Sequence, residues 1–447
     1  MTARGWLLLL LFVLLVGGAT SAWFRAEGSP PEVRAPDAFR IGAAPGALEL
    51  ELFDADSGLR AVRVVLKHAR GEAALVEENY PGGWITGGSP GHATRLDVPV
   101  DPARLALTSG DAFLHVTVRD WSWRDGFRGN ETVLEVPVGI DLDPPTIRVA
   151  SGLTYVSRGG AGAVAYSVSE PTRRDGVRVG DVPFPGFAPG GGEARFALFA
   201  VPIDGPEGPP IRVFAVDEAG NESEATWPAV VVERELPDAQ VTLQQRFLDT
   251  KVRALARSEN LPVEDLAAAF REINTNVRRA NEVRIREILA TSAAEPLWNG
   301  PFSQLANSKV TSRFGEQRRY YVDGEPASEA RHMGYDLAST AAAKVTAANR
   351  GRVAFTGELG IYGNCVIVDH GLGLASLYGH LSRIDVAQGE AVDKGRVLGL
   401  SGATGLAGGD HLHFAILVGG IYVDPLEWWD PDWVRTHIEA RLVRSAP

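Results

Sequence analysis

The hydrophobic period of the chain changes along its length, and the changes divide it. Residues 5–24 are a run of 20 uncharged, mostly apolar residues between Arg4 and Arg25. A helix of that length rises about 30 Å, the thickness of a bilayer core. Trp6 and Trp23 stand near its ends, where tryptophan favours the lipid interface. Residues 1–25 are therefore predicted to be a transmembrane signal anchor, with a cleaved signal peptide as the alternative because residues 17–22 are small. Both readings export the remainder. From residue 26 to about 142 the period becomes two. Leu48-Glu49-Leu50-Glu51-Leu52 alternates strictly and Phe113-Leu114-His115-Val116-Thr117-Val118 does so in part, the mark of half-buried strands.

Asp143-Pro144-Pro145 punctuates the chain, and a second β-rich stretch runs to about 236. Its closing pattern is a strand over residues 211–217, a turn at Glu218-Ala219-Gly220-Asn221-Glu222 and a strand over residues 227–232. The first stretch closes in a similar way, with Gly129-Asn130-Glu131 at the turn. Two units of roughly 100 residues fit the size of immunoglobulin-like sandwiches, and the Val-Asp-Glu-Ala-Gly-Asn turn resembles the last hairpin of bacterial Ig-like domains. Trp121, Trp123 and Phe127 in the first unit read as loop packing, with an exposed binding loop as the alternative. Between 237 and 295 the apolar residues step by three and four, as in Val263, Leu266, Phe270, Ile273 and Val277. This predicts a helical segment that spaces, docks or covers the downstream domain, with Pro262 in a first turn. Residues 296–447 return to strands separated by glycine-bearing turns. Trp428, Trp429 and Trp433 are expected to pack the end of that domain.

Composition narrows the function. The formal net charge of −12 argues against a general nucleic-acid binder. Cys365 is the only cysteine, so no intrachain disulfide forms and any metal site must use histidine and carboxylate. Six of the nine histidines lie at or beyond position 332, and four of them fall in three short patches. These are His332-Met333-Gly334-Tyr335-Asp336, Tyr378-Gly379-His380 and His411-Leu412-His413. His332 and Asp336, four apart, share a side if the segment is a strand, and Gly334 between them lets another group approach. His411 and His413 share a face, with Leu412 turned into the core. Catalytic zinc takes three protein ligands and keeps an open position. His332, Asp336 and one histidine of the 411/413 pair supply three; the other histidine and His380 are left for proton transfer or charge stabilisation. Asn364 and Asp369 are weaker candidates for hydrogen bonds near the site. His68, His92, His115, His370 and His437 read as ordinary histidines.

The C-terminal third resembles the M23 peptidase family, the LytM and lysostaphin-type zinc endopeptidases. Ser312-Arg313-Phe314-Gly315, His332-Met333-Gly334-Tyr335-Asp336, the stretch from Gly363 to Gly371, Tyr378-Gly379-His380, Gly402-Ala403-Thr404-Gly405 and His411-Leu412-His413-Phe414 carry the likeness. The resemblance implies that His332, Asp336 and His413 bind Zn²⁺, that His380 and His411 are catalytic without being ligands, and that an antiparallel β core forms a groove over the metal. Some relatives use a tyrosine shortly before the first ligand; Tyr320 and Tyr321 stand 12 and 11 residues before His332 without a secure alignment.

The expected protein is thus multidomain and mainly β: two Ig-like β-sandwiches (26–142 and 143–236), a helical linker (237–295) and a LytM-type peptidase domain (296–447). The expected activity is zinc-dependent cleavage of peptide cross-links in peptidoglycan, with peptide stems as the partner and the membrane engaged through the N-terminal helix. The bulk would lie in the periplasm. Envelope proteins are further partners open to the Ig-like or helical segments. The alternative function is a non-catalytic LytM-like scaffold that activates other wall hydrolases.

Overall fold

Alternating sequence becomes half-buried strand throughout the molecule, which the computed structural model describes over residues 3–443, without the side chains of residues 3, 4, 7, 21 and 24. Along Gly46–Phe53, Leu48, Leu50 and Leu52 are buried and the residues between them face water. The chain is mainly β and divides into two compact units, Met1–Pro145 with Val216–Glu222, and Thr146–Ala215 with Ser223–Pro447.

In the first unit, five strands pair in the order Phe39–Ile41, Glu131–Ile140, Gly110–Asp120, Leu59–His68, Gly71–Asn79. Val62, Val64 and Leu66 lie opposite Val118, Val116 and Leu114. All six are buried and share a core with Leu50, Leu52 and Val98 of a second, three-stranded sheet. Helix α1, Ala3–Arg25, belongs to this unit and exposes Leu8 through Val16. Among the described residues, no helix is long and apolar enough to cross a membrane. The transmembrane reading of residues 1–25 falls partly outside those residues, at positions 1 and 2 and at the side chains of 3, 4, 7, 21 and 24.

The second unit is built on one continuous core that runs from Val156 to Ile438. Short strands between 147 and 242 lead into helical segments at 245–258 and 266–288. The second of these begins at Leu266, not at Pro262, because the Asp265 carboxylate accepts from the Ala268 amide and caps it there. Phe270, Ile273 and Val277 are its buried stripe, as the spacing predicts. Residues 238–242 differ from the helical expectation. They form a strand, paired parallel to Gln317–Val322, whose open edge offers them a ladder.

The principal sheet contains β1 (Lys309–Ser312), β2 (Tyr335–Ala338), β3 (Gly351–Glu358), β4 (Asn364–Gly371), β5 (Leu374–Leu381), β6 (Ala391–Val392), β7 (Leu412–Val418) and β8 (Ile421–Val423). Their order is β1-β2-β7-β5-β4-β3-β6, with β8 paired to β7. β5 and β7 are buried along their whole length, so apolar residues occupy successive positions in them and do not alternate with polar ones. Beyond β8, Asp424 caps Pro425–Trp429. Trp428 packs edge-on against Phe302 at 5.6 Å, and Trp429 stacks on Phe414 at 5.7 Å.

Glu427 in that last turn is enclosed. Its Oε2 accepts from the Ala161 amide at 2.9 Å, and a Cβ at Gly160 would stand 2.4 Å from its Oε1. Burial pushes its carboxyl from the ordinary 4.5 up to about 8; the Ala161 amide opposes this, Asp424 adds to it and Arg234 offsets it. A folded-state value above the unfolded one means stability that is full below about 4.5 and is lost as pH rises through about 8. Glu427→Gln, which removes this ionisation, is expected to flatten the fall of the thermal midpoint between those two pH values. A parallel fall in the variant would show that Glu427 is not its source.

Candidate functional site

Strand register assembles the site. β2 and β7 pair so that Asp336 lies opposite His413, and β7 and β5 pair so that His413 lies opposite Gly379, next to His380. His411 immediately precedes β7 and is bridged to Gly402. Leu412 is buried on the other face. His332 and Asp336 do not lie on one strand, which is where their spacing alone would put them. Met333 and Gly334 interrupt the chain between strand Glu325–Arg331 and β2, and this turn carries the His332 ring onto Asp336. Gly334 permits it: a Cβ there would sit 2.8 Å from His413 Nε2 and 2.5 Å from the Phe414 carbonyl.

Three ligand-type atoms converge. His332 Nε2 is 2.9 Å from Asp336 Oδ1 and 3.2 Å from His413 Nδ1, and His413 Nδ1 is 3.0 Å from Asp336 Oδ1. His332 and His413 are buried, and the Asp336 side chain is 13% exposed. His332 Nδ1 meets the Arg313 carbonyl at 3.0 Å and Ser312 Oγ at 3.1 Å. A carbonyl can only accept, so the ring carries its proton on Nδ1 and turns the Nε2 lone pair to the cluster. Two imidazole nitrogens and one carboxylate oxygen, held this close and out of water, are a donor set for a divalent cation such as zinc. His413 Nε2 is buried without a hydrogen-bond partner, so that ring is placed by its other nitrogen.

Two further histidines flank the cluster. His411 Nε2 lies 3.5 Å from Asp336 Oδ1, and its ring centre is 4.9 Å from that of His380. His380 Nδ1 donates to the Thr404 carbonyl at 2.9 Å, and His411 Nδ1 donates to the Gly409 carbonyl at 2.8 Å. The same argument leaves Nε2 of a neutral His380 as a proton acceptor, while Nε2 of His411 faces the Asp336 carboxylate. His380 holds this position at φ 64°, a left-handed conformation that costs a non-glycine residue about 1–3 kcal/mol and is maintained by the surrounding structure. Burial, reinforced by His413 and His411, pushes the His380 imidazole well below its usual range. Burial also pulls at His411, but Asp336 and the Gly409 carbonyl prevail and raise it. Burial would raise the Asp336 carboxyl; the three imidazoles hold it well below the usual carboxylate range instead.

Arg318 carries no signal in the sequence. Its Nη2 is 3.0 Å from Asp336 Oδ2, and its Nε donates to Glu316 Oε1 at 2.7 Å. Ser312 donates to the same Glu316 oxygen at 2.9 Å. One oxygen of Asp336 is thereby taken by the guanidinium, and the other is left to the histidines. Nothing about Arg318 stands out locally, since it follows Gln317 and precedes Arg319 in a polar strand. Tyr320, two residues on, faces the same way. With His380, His411 and Tyr362 these two line a cavity of about 160 Å³, whose wall also includes Arg278 of the helical segment. A neighbouring hollow of about 360 Å³ is lined by Leu243, Phe247 and Phe270 and shares Arg318 and Tyr320. The helical segment therefore docks at the site.

The weaker candidates lie elsewhere. Asn364 donates to the Leu381 carbonyl at 3.1 Å. Asp369 accepts from Ser292, Ala293 and Gly371 and ties down the end of the helical segment, so it does not orient a histidine. His370 is buried between the Arg350 carbonyl and Ser376, each at 2.7 Å. His437 stacks on Trp433.

Replacing Arg318 with Met leaves the carboxylates of Asp336 and Glu316 without their cation. Breaking a buried pair this way typically costs about 3–5 kcal/mol. The metal-free variant is expected to unfold at clearly lower denaturant than the metal-free parent; an unchanged midpoint would deny the ion pair any structural weight.

The family described as Peptidase family M23 matches residues 330–425. Over 95 residues the chain is 40% identical to "DD-carboxypeptidase/endopeptidase Mpg" of Neisseria meningitidis serogroup B, covering 21% of this chain and 22% of that protein. Over 122 residues it is 33% identical to "Peptidoglycan DD-endopeptidase ShyB" of Vibrio cholerae serotype O1, covering 27% and 28%. The alignments thus span about a quarter of these relatives' length. Among solved structures, a putative peptidase M23 from Pseudomonas aeruginosa aligns at 21% identity and TM-score 0.39, over 63% of this chain and 96% of that one.

Proposed function

We propose that the peptidase family M23 domain at residues 330–425 acts as a zinc-dependent endopeptidase on the peptide cross-links of bacterial peptidoglycan. The observation that carries this reading is the buried convergence of His332 Nε2, Asp336 Oδ1 and His413 Nδ1 beside two further histidines, His380 and His411, whose Nδ1 atoms are each committed to a backbone carbonyl. These three residues would hold Zn²⁺, which as a Lewis acid polarises a scissile carbonyl and makes water a better nucleophile. The chain's own groups do the rest. His411 and His380 sit close enough to share the work of accepting a proton from water and returning it to the leaving amine. Arg318 holds the second oxygen of Asp336 and so orients the carboxylate. Tyr320 lines the cavity where negative charge develops. The relatives named for peptidoglycan endopeptidase activity support the choice of substrate.

The domain plan is part of the same proposal. Residues 26–142 and 143–236 are read as Ig-like β-sandwiches, supported in the first case by two sheets sharing one core, and 237–295 as a helical linker before the peptidase domain at 296–447. Residues 1–25 are read as the anchor that keeps the bulk in the periplasm, with envelope proteins as further partners of the β or helical segments.

Purified protein incubated with intact sacculi is expected to release new peptide termini, and a chelator should abolish the release; no metal-dependent termini from any wall type would refute the activity. His332→Ala and His413→Ala should each lose bound zinc in elemental analysis. His411→Ala should keep the metal and lose turnover by about 10²–10⁴-fold, the usual weight of a general base. Substantial turnover in that variant would remove its assigned role.

A further inference from the structure

The first unit carries an aromatic surface with no covering within its own fold. Trp84, Trp121, Trp123 and Phe127 form one cluster, with neighbouring ring centres 5.6–5.9 Å apart. Arg60 lies over Trp84 at 4.5 Å, and its guanidinium donates to the Phe127 and Arg128 carbonyls. The cluster packs internally, as expected of large aromatics in a loop, yet it leaves a wet outer face. Ile85 is 86% exposed, Phe127 55% and Trp84 40%. Asp125, Gly126 and Phe127 all take positive φ, and this strained turn presents Phe127 to solvent. Two such non-glycine residues cost free energy, and within the protein the exposed ring recovers little of it.

The position of this surface says what would cover it. The last turn of α1 is bound to these loops. Arg25 Nη2 donates to the Trp121 carbonyl at 2.6 Å, and the Trp123 amide donates to the Arg25 carbonyl at 2.7 Å. Ser122 Oγ reaches the Glu27 carbonyl at 2.8 Å, and Arg124 Nε reaches the Ala26 carbonyl at 2.9 Å. Trp23, 81% exposed, stands just inside that turn. If α1 leaves the hydrocarbon at Arg25, groups hydrogen-bonded to residues 25–27 lie in the adjoining headgroup layer, about 5–8 Å thick. The surface has the composition of that layer: tryptophan and phenylalanine among arginines. Its rim is mixed, with Arg25, Arg60, Arg124 and Arg128 against Glu27, Asp56 and Asp125, so the fit is to a phospholipid headgroup layer and needs no strongly anionic lipid.

We propose that the loops over residues 81–89 and 121–129 are an interfacial docking surface, which seats the first β module on the phospholipid headgroups where α1 ends. The proposal rests on the reading of α1 as a membrane anchor. It makes the helix-to-module junction a fixed seat and not a flexible tether.

The test uses the full chain reconstituted into phosphatidylcholine/phosphatidylglycerol vesicles. Cys365 is fully buried, so Ile85→Cys adds a single accessible thiol for an environment-sensitive nitrobenzoxadiazole label. Ala69→Cys, in the turn at the other end of the Leu59–His68 strand, is the control. Both positions are exposed, so folding is not at risk. Co-flotation with vesicles, a blue-shifted emission at 85 and a water-like emission at 69 is the expected result. Co-flotation with water-like emission at both positions overturns the docking surface and leaves the anchor standing. No co-flotation removes the anchor, and the docking surface with it.

Discussion

The pairing of Tyr335–Ala338 with Leu412–Val418 is the constraint on which the site depends. In this register Asp336 and His413 are directly opposed and their side chains emerge on one face. A slip of one residue would turn every side chain of the strand to the other face, burying Asp336 in the apolar core and pointing Leu337 and Tyr335 at the groove. The register is well protected. Leu337, Leu412 and Phe414 are all buried on the core side or at its margin, and the next strand repeats the match by setting Gly379 against His413. Hydrophobic burial on one face therefore does the positioning for polar chemistry on the other.

Placing a carboxylate in such a site demands compensation. Asp336 is met on one oxygen by histidines and on the other by Arg318, which is itself matched by Glu316 and Ser312. The network extends to His332 through Ser312. The charges and lone pairs thus form a connected set, and its members lie on β1, on strand Gln317–Val322 and the residue before it, on β2 and the break before it, and on β7. A site of this kind is rigid because moving one member would strand another in low dielectric.

The helical segment and the β strands that precede it share a continuous core with the principal sheet. Asp369 fastens the end of the helical segment, Phe270 meets Tyr320 ring to ring at 5.1 Å, and Arg278 reaches the cavity wall. The second unit is therefore more than the matched segment on a tether. Its groove has one wall that the matched family segment, residues 330–425, does not supply.

Much of this was legible along the chain. Local rules sufficed for the half-buried strands, the buried stripe of the helix through Phe270, Ile273 and Val277 though not its start, the tryptophans that close the end, and the histidine patches, because period and spacing are properties of neighbours. Gly334 was legible too, since a glycine between two ligand-type residues signals close approach. Three things were settled only by the fold. Residues 238–242 became a strand because a distant edge was open to pair with them. His332 reached Asp336 through a turn and not along a strand. Arg318 became the partner of Asp336 although its neighbours in sequence give it no distinction. Each is a contact between segments far apart in the chain, and its energy comes from pairing or from charge compensation in a buried place. No local pattern encodes that, because the partner is absent until the chain has folded.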